Sequence, residues 1–246
     1  MEIVGLALAS SISWFLSTLA GGGSPLILIP VIGLCLGAAA VPPVVTTGML
    51  LGNIQRVWIY WRYIDWQVMW WYLPGSIVGA VLGAFVFTQT NIKWLPVLLG
   101  IFLILSTLSY GVGKNKPSFK VSAWYFLPAA LIYAFLSGII GSTGPMLNPL
   151  YFNYGMVKED MIATKAANVV VVHIAKMIAY AAFGALTPAY LFYGIIIGIA
   201  AFPGNWVGQI VLEKISKERF RQLVVVFVAF SGMLMLWEQR ALFVVW

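Results

Sequence analysis

The sequence predicts an all-α integral membrane protein of two inverted repeats of transmembrane helices, each beginning with a glycine-broken helix that is re-entrant or discontinuous. Three observations lead there. First, 62% of the 246 residues are hydrophobic, 9% are charged, and the mean hydropathy is +0.96. Apolar runs reach the roughly 20 residues that a bilayer-spanning helix needs, without the strict alternation of barrel strands. Second, Gly21-Gly22-Gly23-Ser24-Pro25 is echoed by Gly141-Ser142-Thr143-Gly144-Pro145. Third, Asn53, Arg56 and Tyr60 are matched at the same offset by His173, Lys176 and Tyr180, and Gly79 and Gly83 by Gly204 and Gly208 with the offset grown by five.

Taken in order, repeat 1 (residues 1–112) offers apolar segments Ile3 to Ala20, Pro25 to Leu36, Val44 to Tyr60, Gln67 to Thr88 and Trp94 to Gly111. A polar linker, residues 113–122 with Lys114, Lys116, Pro117 and Lys120, reads as cytoplasmic. Repeat 2 (residues 123–246) follows the same order with Ala123 to Ile140, Pro145 to Tyr154, Met161 to Ala182, Ala189 to Leu212 and Phe220 to Trp237. Ile3 to Ala20 reads as a retained helix, since only Met1 and Glu2 precede it, with no basic n-region, and glycines stand where a cleavage site would be. Cys35, the only cysteine, sits in an apolar run and reads as a buried, inert thiol. Glycines four apart in Gly79/Gly83 and Gly204/Gly208 predict close approach of helix backbones.

Positive charge chooses between the two forms of the short segments. Pro25 to Leu36 is 12 residues, about 18 Å as helix and too short for a hydrocarbon core of roughly 30 Å. If both short segments return to their side of origin, one face receives nine cations: Arg62, Lys114, Lys116, Lys120, Lys158, Lys214, Lys217, Arg219 and Arg221. The other face receives two, Lys93 and Arg240. If each pair of segments is one continuous span, the division is six against five. Cytoplasmic loops carry the excess of Lys and Arg, so the hairpin form is favoured, with both termini outside.

Non-helical backbone at membrane depth must be buried in protein or line a polar cavity, so the two glycine-rich segments imply a cavity. A helix opening at Ser24-Pro25 or Gly144-Pro145 has proline where its missing N–H costs nothing, and its free amides carry partial positive charge suited to an anion. Gly22, Gly23 and Gly144 would let an anion approach the backbone, and Ser24, Ser142 and Thr143 would donate hydroxyls. On the next helix Asn53, Arg56 and Tyr60 fall on one face, as do His173, Lys176 and Tyr180. All seven acids lie at predicted ends or loops, so an anionic substrate would supply the missing counter-charge to Arg56 and Lys176. Competing accounts are tight turns and caps for the glycines and hydroxyls, snorkelling for the two cations, and helix packing for His173. Lys165, near a helix start, reads as interfacial. His173 also offers a titrating group whose protonation and anion binding would favour each other.

The glycine-rich GGGSPLILIP, its counterpart GSTGPMLNP, the following VVTTGMLLGN and MIATKAANVV, and the two-repeat layout resemble the sulfite exporter (TauE/SafE) family of bacterial membrane permeases over essentially the whole chain. The resemblance implies a multi-pass protein of a bacterial-type plasma (inner) membrane that moves small sulfur oxyanions such as sulfite, or organosulfonates.

The residues themselves point to a secondary transporter, because glycine-interrupted apolar segments at corresponding places in two halves mark such a binding site. No GxxxxGK[ST] pattern is present, so the usual phosphate-binding loop of an ATPase is not. One histidine, one cysteine and no carboxylate in the spans are poor material for an intramembrane enzyme, a metal site or a cofactor, and none is expected. The formal charge of +7 is spread among apolar runs, unlike the clustered face that nucleic acid requires. The expected partners are a small anion and the lipid bilayer. A non-transporting receptor or scaffold is the alternative.

Overall fold

A computed structural model describes residues 2–89, 97, 101, 104, 120–143 and 145–238. Expectations for Met1, Lys93, the segment Trp94 to Gly111, the linker up to residue 119, Gly144, Arg240 and Trp246 lie outside those residues or touch them only at isolated positions. All regular elements among the described residues are helical: α1 (Glu2–Leu19), α2 (Pro25–Leu36), α3 (Val41–Tyr60), α4 (Trp66–Gln89), α5 (Phe126–Ile140), α6 (Asn148–Tyr154), α7 (Lys158–Ala182), α8 (Pro188–Glu213) and α9 (Lys217–Glu238). Short 3-10 turns lead into α3 at Ala38–Ala40 and into α5 at Ala123–Tyr125.

Four helical stretches are long and apolar enough to cross a membrane: Trp66–Gln89, Ala123–Ile140, Lys158–Ala182 and Pro188–Glu213. Of these Lys158–Ala182 is the innermost, with 72% of its most apolar window buried against 39–44% for the others. The outer helices turn Ile77, Val81, Phe85, Ile199, Phe202 and Trp206 outward, which water would not tolerate on this scale but lipid does. Around the α3–α4 junction Trp58, Trp61, Tyr63, Trp66 and Trp70 are exposed, the amphipathic rings expected at a membrane–water interface.

α3 and α7 pack on each other at the centre, α1 packs on α8, and α5 packs on α4. The last two contacts are one contact made twice. An ideal Cβ on Gly79 would stand 2.2 Å from the Leu131 carbonyl oxygen, and one on Gly204 would stand 2.1 Å from that of Ser11. Leu131 stands at the offset from Ser11 that separates the two glycine-rich segments. A Cβ on Gly83 would stand 2.1 Å from the Phe135 carbonyl oxygen, whereas one on Gly208 would meet the Thr18 side chain at 2.8 Å, so the close approach read from the glycine spacing is present in both places, to backbone in one and to a side chain in the other. Hydroxyls seal the α1–α8 pair, where Ser10 Oγ donates to the Ile197 carbonyl at 2.7 Å and Ser11 Oγ to that of Ala200 at 2.6 Å.

Two local expectations need correction. The helix after the second glycine-rich segment starts at Asn148, not Pro145, because residues 145–147 form a turn in which the Asn148 amide donates to the Pro145 carbonyl at 2.9 Å. Cys35 is exposed, since the end of α2 presents Leu34 and Cys35 outward.

Candidate functional site

α1 ends at Leu19, and the chain then passes through Gly21, Gly22 and Gly23 at φ of +64, +117 and +112 before α2 begins at Pro25. Side chains rarely adopt the last two angles, so glycine is required there for the turn itself. Ser24 fixes the far side of the turn: its carbonyl accepts from Ser13 Oγ at 2.8 Å, and its hydroxyl donates to Met49 Sδ at 3.2 Å. Phe227 of α9 packs over Gly23, and Val224 and Phe220 pack over Gly21.

Beside this turn lies a narrow cavity of about 20 Å³, room for little more than a water. Gly21, Gly22, Gly23 and Pro25 line one wall, Met49, Asn53 and Arg56 of α3 a second, and Tyr133 and Ser142 a third. Ile162, Lys165, Ala166 and Val169 of α7 close it, and Ser17 of α1 completes the lining. Elements from both halves therefore meet at one point.

Arg56 is buried over the ring of Trp14, with Cζ 4.5 Å from its centroid. Its Nε donates to Asn205 Oδ1 at 2.8 Å, and its Nη2 donates to Thr18 Oγ1 at 2.7 Å and to the Trp14 carbonyl at 3.2 Å. Asn205 in turn donates to Gln55 Oε1 at 2.9 Å and to the Gly52 carbonyl at 3.0 Å. This network ties α1, α3 and α8 together, and it leaves Nη1 without a hydrogen bond among the described residues.

Lys165 is also buried, and its Nζ donates to Asn148 Oδ1 at 2.6 Å and to the Gly21 carbonyl at 2.9 Å. Its position near a helix start reads in the sequence as interfacial. The glycine turn, folded against α7, buries it.

The structure divides the ten residues singled out from sequence. Gly22, Gly23, Asn53, Arg56 and Ser142 line the cavity; Ser24, Thr143, His173 and Lys176 do not. Gly144 lies outside the described residues. Ser142 and Thr143 lie against the Tyr133 hydroxyl. Lys176 donates to Ser137 Oγ at 3.2 Å and to the Gly141 carbonyl, and Tyr180 donates to the Gly138 carbonyl. His173 is fully buried, and neither ring nitrogen has a partner among the described residues. The expected linkage between an anion and His173 therefore has no direct contact to run through in this conformation.

Among the described residues the buried charged side chains are Arg56, Lys165 and Lys176, with no aspartate or glutamate. Lys158 and Glu159 form an ion pair at 3.1 Å, partly exposed, at the start of α7. Apolar outer helices around an internal cavity lined by Arg56 and Lys165 are the arrangement of a multi-pass membrane protein. The chain belongs to the sulfite exporter TauE/SafE family, whose model matches residues 6–235. Neither a curated protein nor a solved structure matches it.

Proposed function

We propose that this chain is a secondary transporter, an exporter of small sulfur-containing anions such as sulfite or organosulfonates, in a bacterial-type plasma membrane. The observation that carries the reading is a narrow internal cavity with two buried cations, Arg56 and Lys165, and no buried carboxylate among the described residues. Burying unpaired cations in a bilayer is costly unless a counter-charge arrives, and a bound anion is that counter-charge. Gly22 and Gly23 admit an anion to the backbone, Ser142 and Asn53 face it, and Ser24 and Thr143 hold the two turns. Lys176 holds the opening of the second turn through Ser137 and the Gly141 carbonyl.

Alternating access around this point is part of the proposal. Two glycine-broken segments, each re-entrant and carried on an inverted repeat, would rock against each other. Support comes from the reciprocal packing of α1 on α8 and α5 on α4, with Gly79 and Gly204 in equivalent contacts. The cavity is too small for sulfite as it stands, which suits an occluded conformation that must open to load.

The test is flux of a sulfite and organosulfonate panel across liposomes containing the purified chain. Sulfite or a sulfonate should cross faster than in empty liposomes. No flux for any member overturns the transporter reading, and binding without flux makes the protein a receptor.

A further inference from the structure

We propose that Lys165 contacts the transported anion directly, and that Lys165 and Arg56 together make the site select anions carrying two charges over those carrying one. This rests on the anion-transporter reading above.

The observations concern one cavity. Lys165 and Arg56 both line it, from α7 and α3. The partners that hold the Lys165 ammonium, the Gly21 carbonyl and Asn148 Oδ1, are both neutral. They orient two of its three N–H bonds and leave its charge uncompensated. Arg56 is likewise held by neutral groups and keeps Nη1 unused among the described residues. Ser17 lines the same cavity, is fully buried, and its hydroxyl has no partner there. An unbonded buried hydroxyl beside two uncompensated cations marks a place where acceptor atoms are missing.

Gly22 supplies the link to the glycine turn. A Cβ at that position would lie 2.3 Å from Lys165 Nζ. The glycine therefore does two things: it permits the positive φ, and it vacates the space that the ammonium occupies. The counterpart of Lys165 at the repeat offset is Val45, so this cation exists once, at the first turn only. Lys176, the cation that does recur, is occupied by Ser137 and Gly141. Two positive charges at one cavity are matched by a dianion, while a monoanion leaves one of them buried and unpaired.

The test compares sulfite with methanesulfinate, a monoanion of the same pyramidal shape at sulfur, at mildly alkaline pH where sulfite is a dianion. Binding is measured on the purified full chain, wild type against Lys165→Gln and Lys165→Arg. The wild type and Lys165→Arg should prefer sulfite. Lys165→Gln, which can still donate to Gly21, should lose sulfite affinity by about 100-fold while methanesulfinate affinity changes by less than about threefold. If Lys165→Gln weakens both anions equally, or neither, Lys165 only braces the turn and the inference fails while the transporter reading stands. If the wild type binds neither anion, both fail.

Discussion

Lys176 donates from Nζ to the carbonyl oxygen of Gly141, the residue that opens the second glycine-rich segment. Arg56, its counterpart at the repeat offset, donates from Nη2 to the Trp14 carbonyl and to Thr18 Oγ1, near the end of the helix that enters the first segment. In each half a cation on the central helix thus holds the helix that enters the glycine-rich segment, α1 or α5, near its C-terminal end. For Lys176 this contact absorbs the cation. Arg56 does the same and still faces the cavity.

Lys176→Met should therefore act mainly on stability. Two effects oppose each other: a buried charge is removed, and the Gly141 carbonyl and Ser137 hydroxyl lose a partner. The second should win, because the Gly141 amide is bonded to the Ser137 carbonyl at 2.9 Å, which fixes the turn and prevents its carbonyl from rotating elsewhere. Thermal unfolding in detergent should begin about 5 °C lower, with anion affinity in the surviving folded protein close to wild type. An unchanged unfolding midpoint with lost affinity would place Lys176 at the substrate instead.

Much of the fold was legible because membrane helices announce themselves by length and hydropathy, and the duplicated glycines mark where helices touch. Gly79 and Gly204 lie where spacing alone put them, against backbone. The candidate site was legible only in its duplicated part. Comparing halves finds Arg56 with Lys176 and the two glycine-rich segments, but it is blind to what occurs once. Lys165 faces Val45 in that comparison, and Asn205 and Gln55, which brace Arg56, belong to a network the second half does not repeat. His173 is the opposite case, a conspicuous and fully buried residue at a matched position that does not line the cavity.

Gly79→Ala and Gly204→Ala should be among the least tolerated changes on the outer helices. The added carbon meets a main-chain carbonyl oxygen at 2.2 Å and 2.1 Å respectively, and a helix backbone cannot rotate aside as a side chain can. The helix pairs would have to separate, at a cost of about 1–3 kcal/mol from overpacking. Size-exclusion chromatography should show less monodisperse protein for each. Gly5→Ala, whose new carbon meets nothing within 4 Å, should behave as wild type; equal loss in all three would mean the contacts are not what matters.

Topology carries its own test. With both short segments returning to their side of origin, nine cations, including those of the linker and of the stretch from Lys214 to Arg221 at the α8–α9 junction, face the cytoplasm. Because Cys35 is exposed, it must first be replaced by serine. A single cysteine placed at Asn115 should then resist membrane-impermeant thiol reagents in intact cells and react after permeabilisation. Labelling in intact cells would sink the inverted arrangement.

Gly22→Ala separates the two duties of that glycine. Gly21, one residue earlier, also has positive φ, +64, but the nearest atoms to its Cβ would be in the Val224, Met161 and Phe220 side chains, at 3.1–3.3 Å. Alanine tolerates the left-handed region near Gly21 at a cost of about 1 kcal/mol, and the wider angle of +117 at Gly22 at somewhat more. Both variants should fold with lowered stability. Only Gly22→Ala drives a methyl into the position of the Lys165 ammonium, which must then leave the Gly21 carbonyl and withdraw from the turn. Sulfite affinity should fall by more than about tenfold in Gly22→Ala and stay within about threefold of wild type in Gly21→Ala. If both variants bind sulfite alike, the glycines serve the turn alone and the seat of Lys165 is incidental to it.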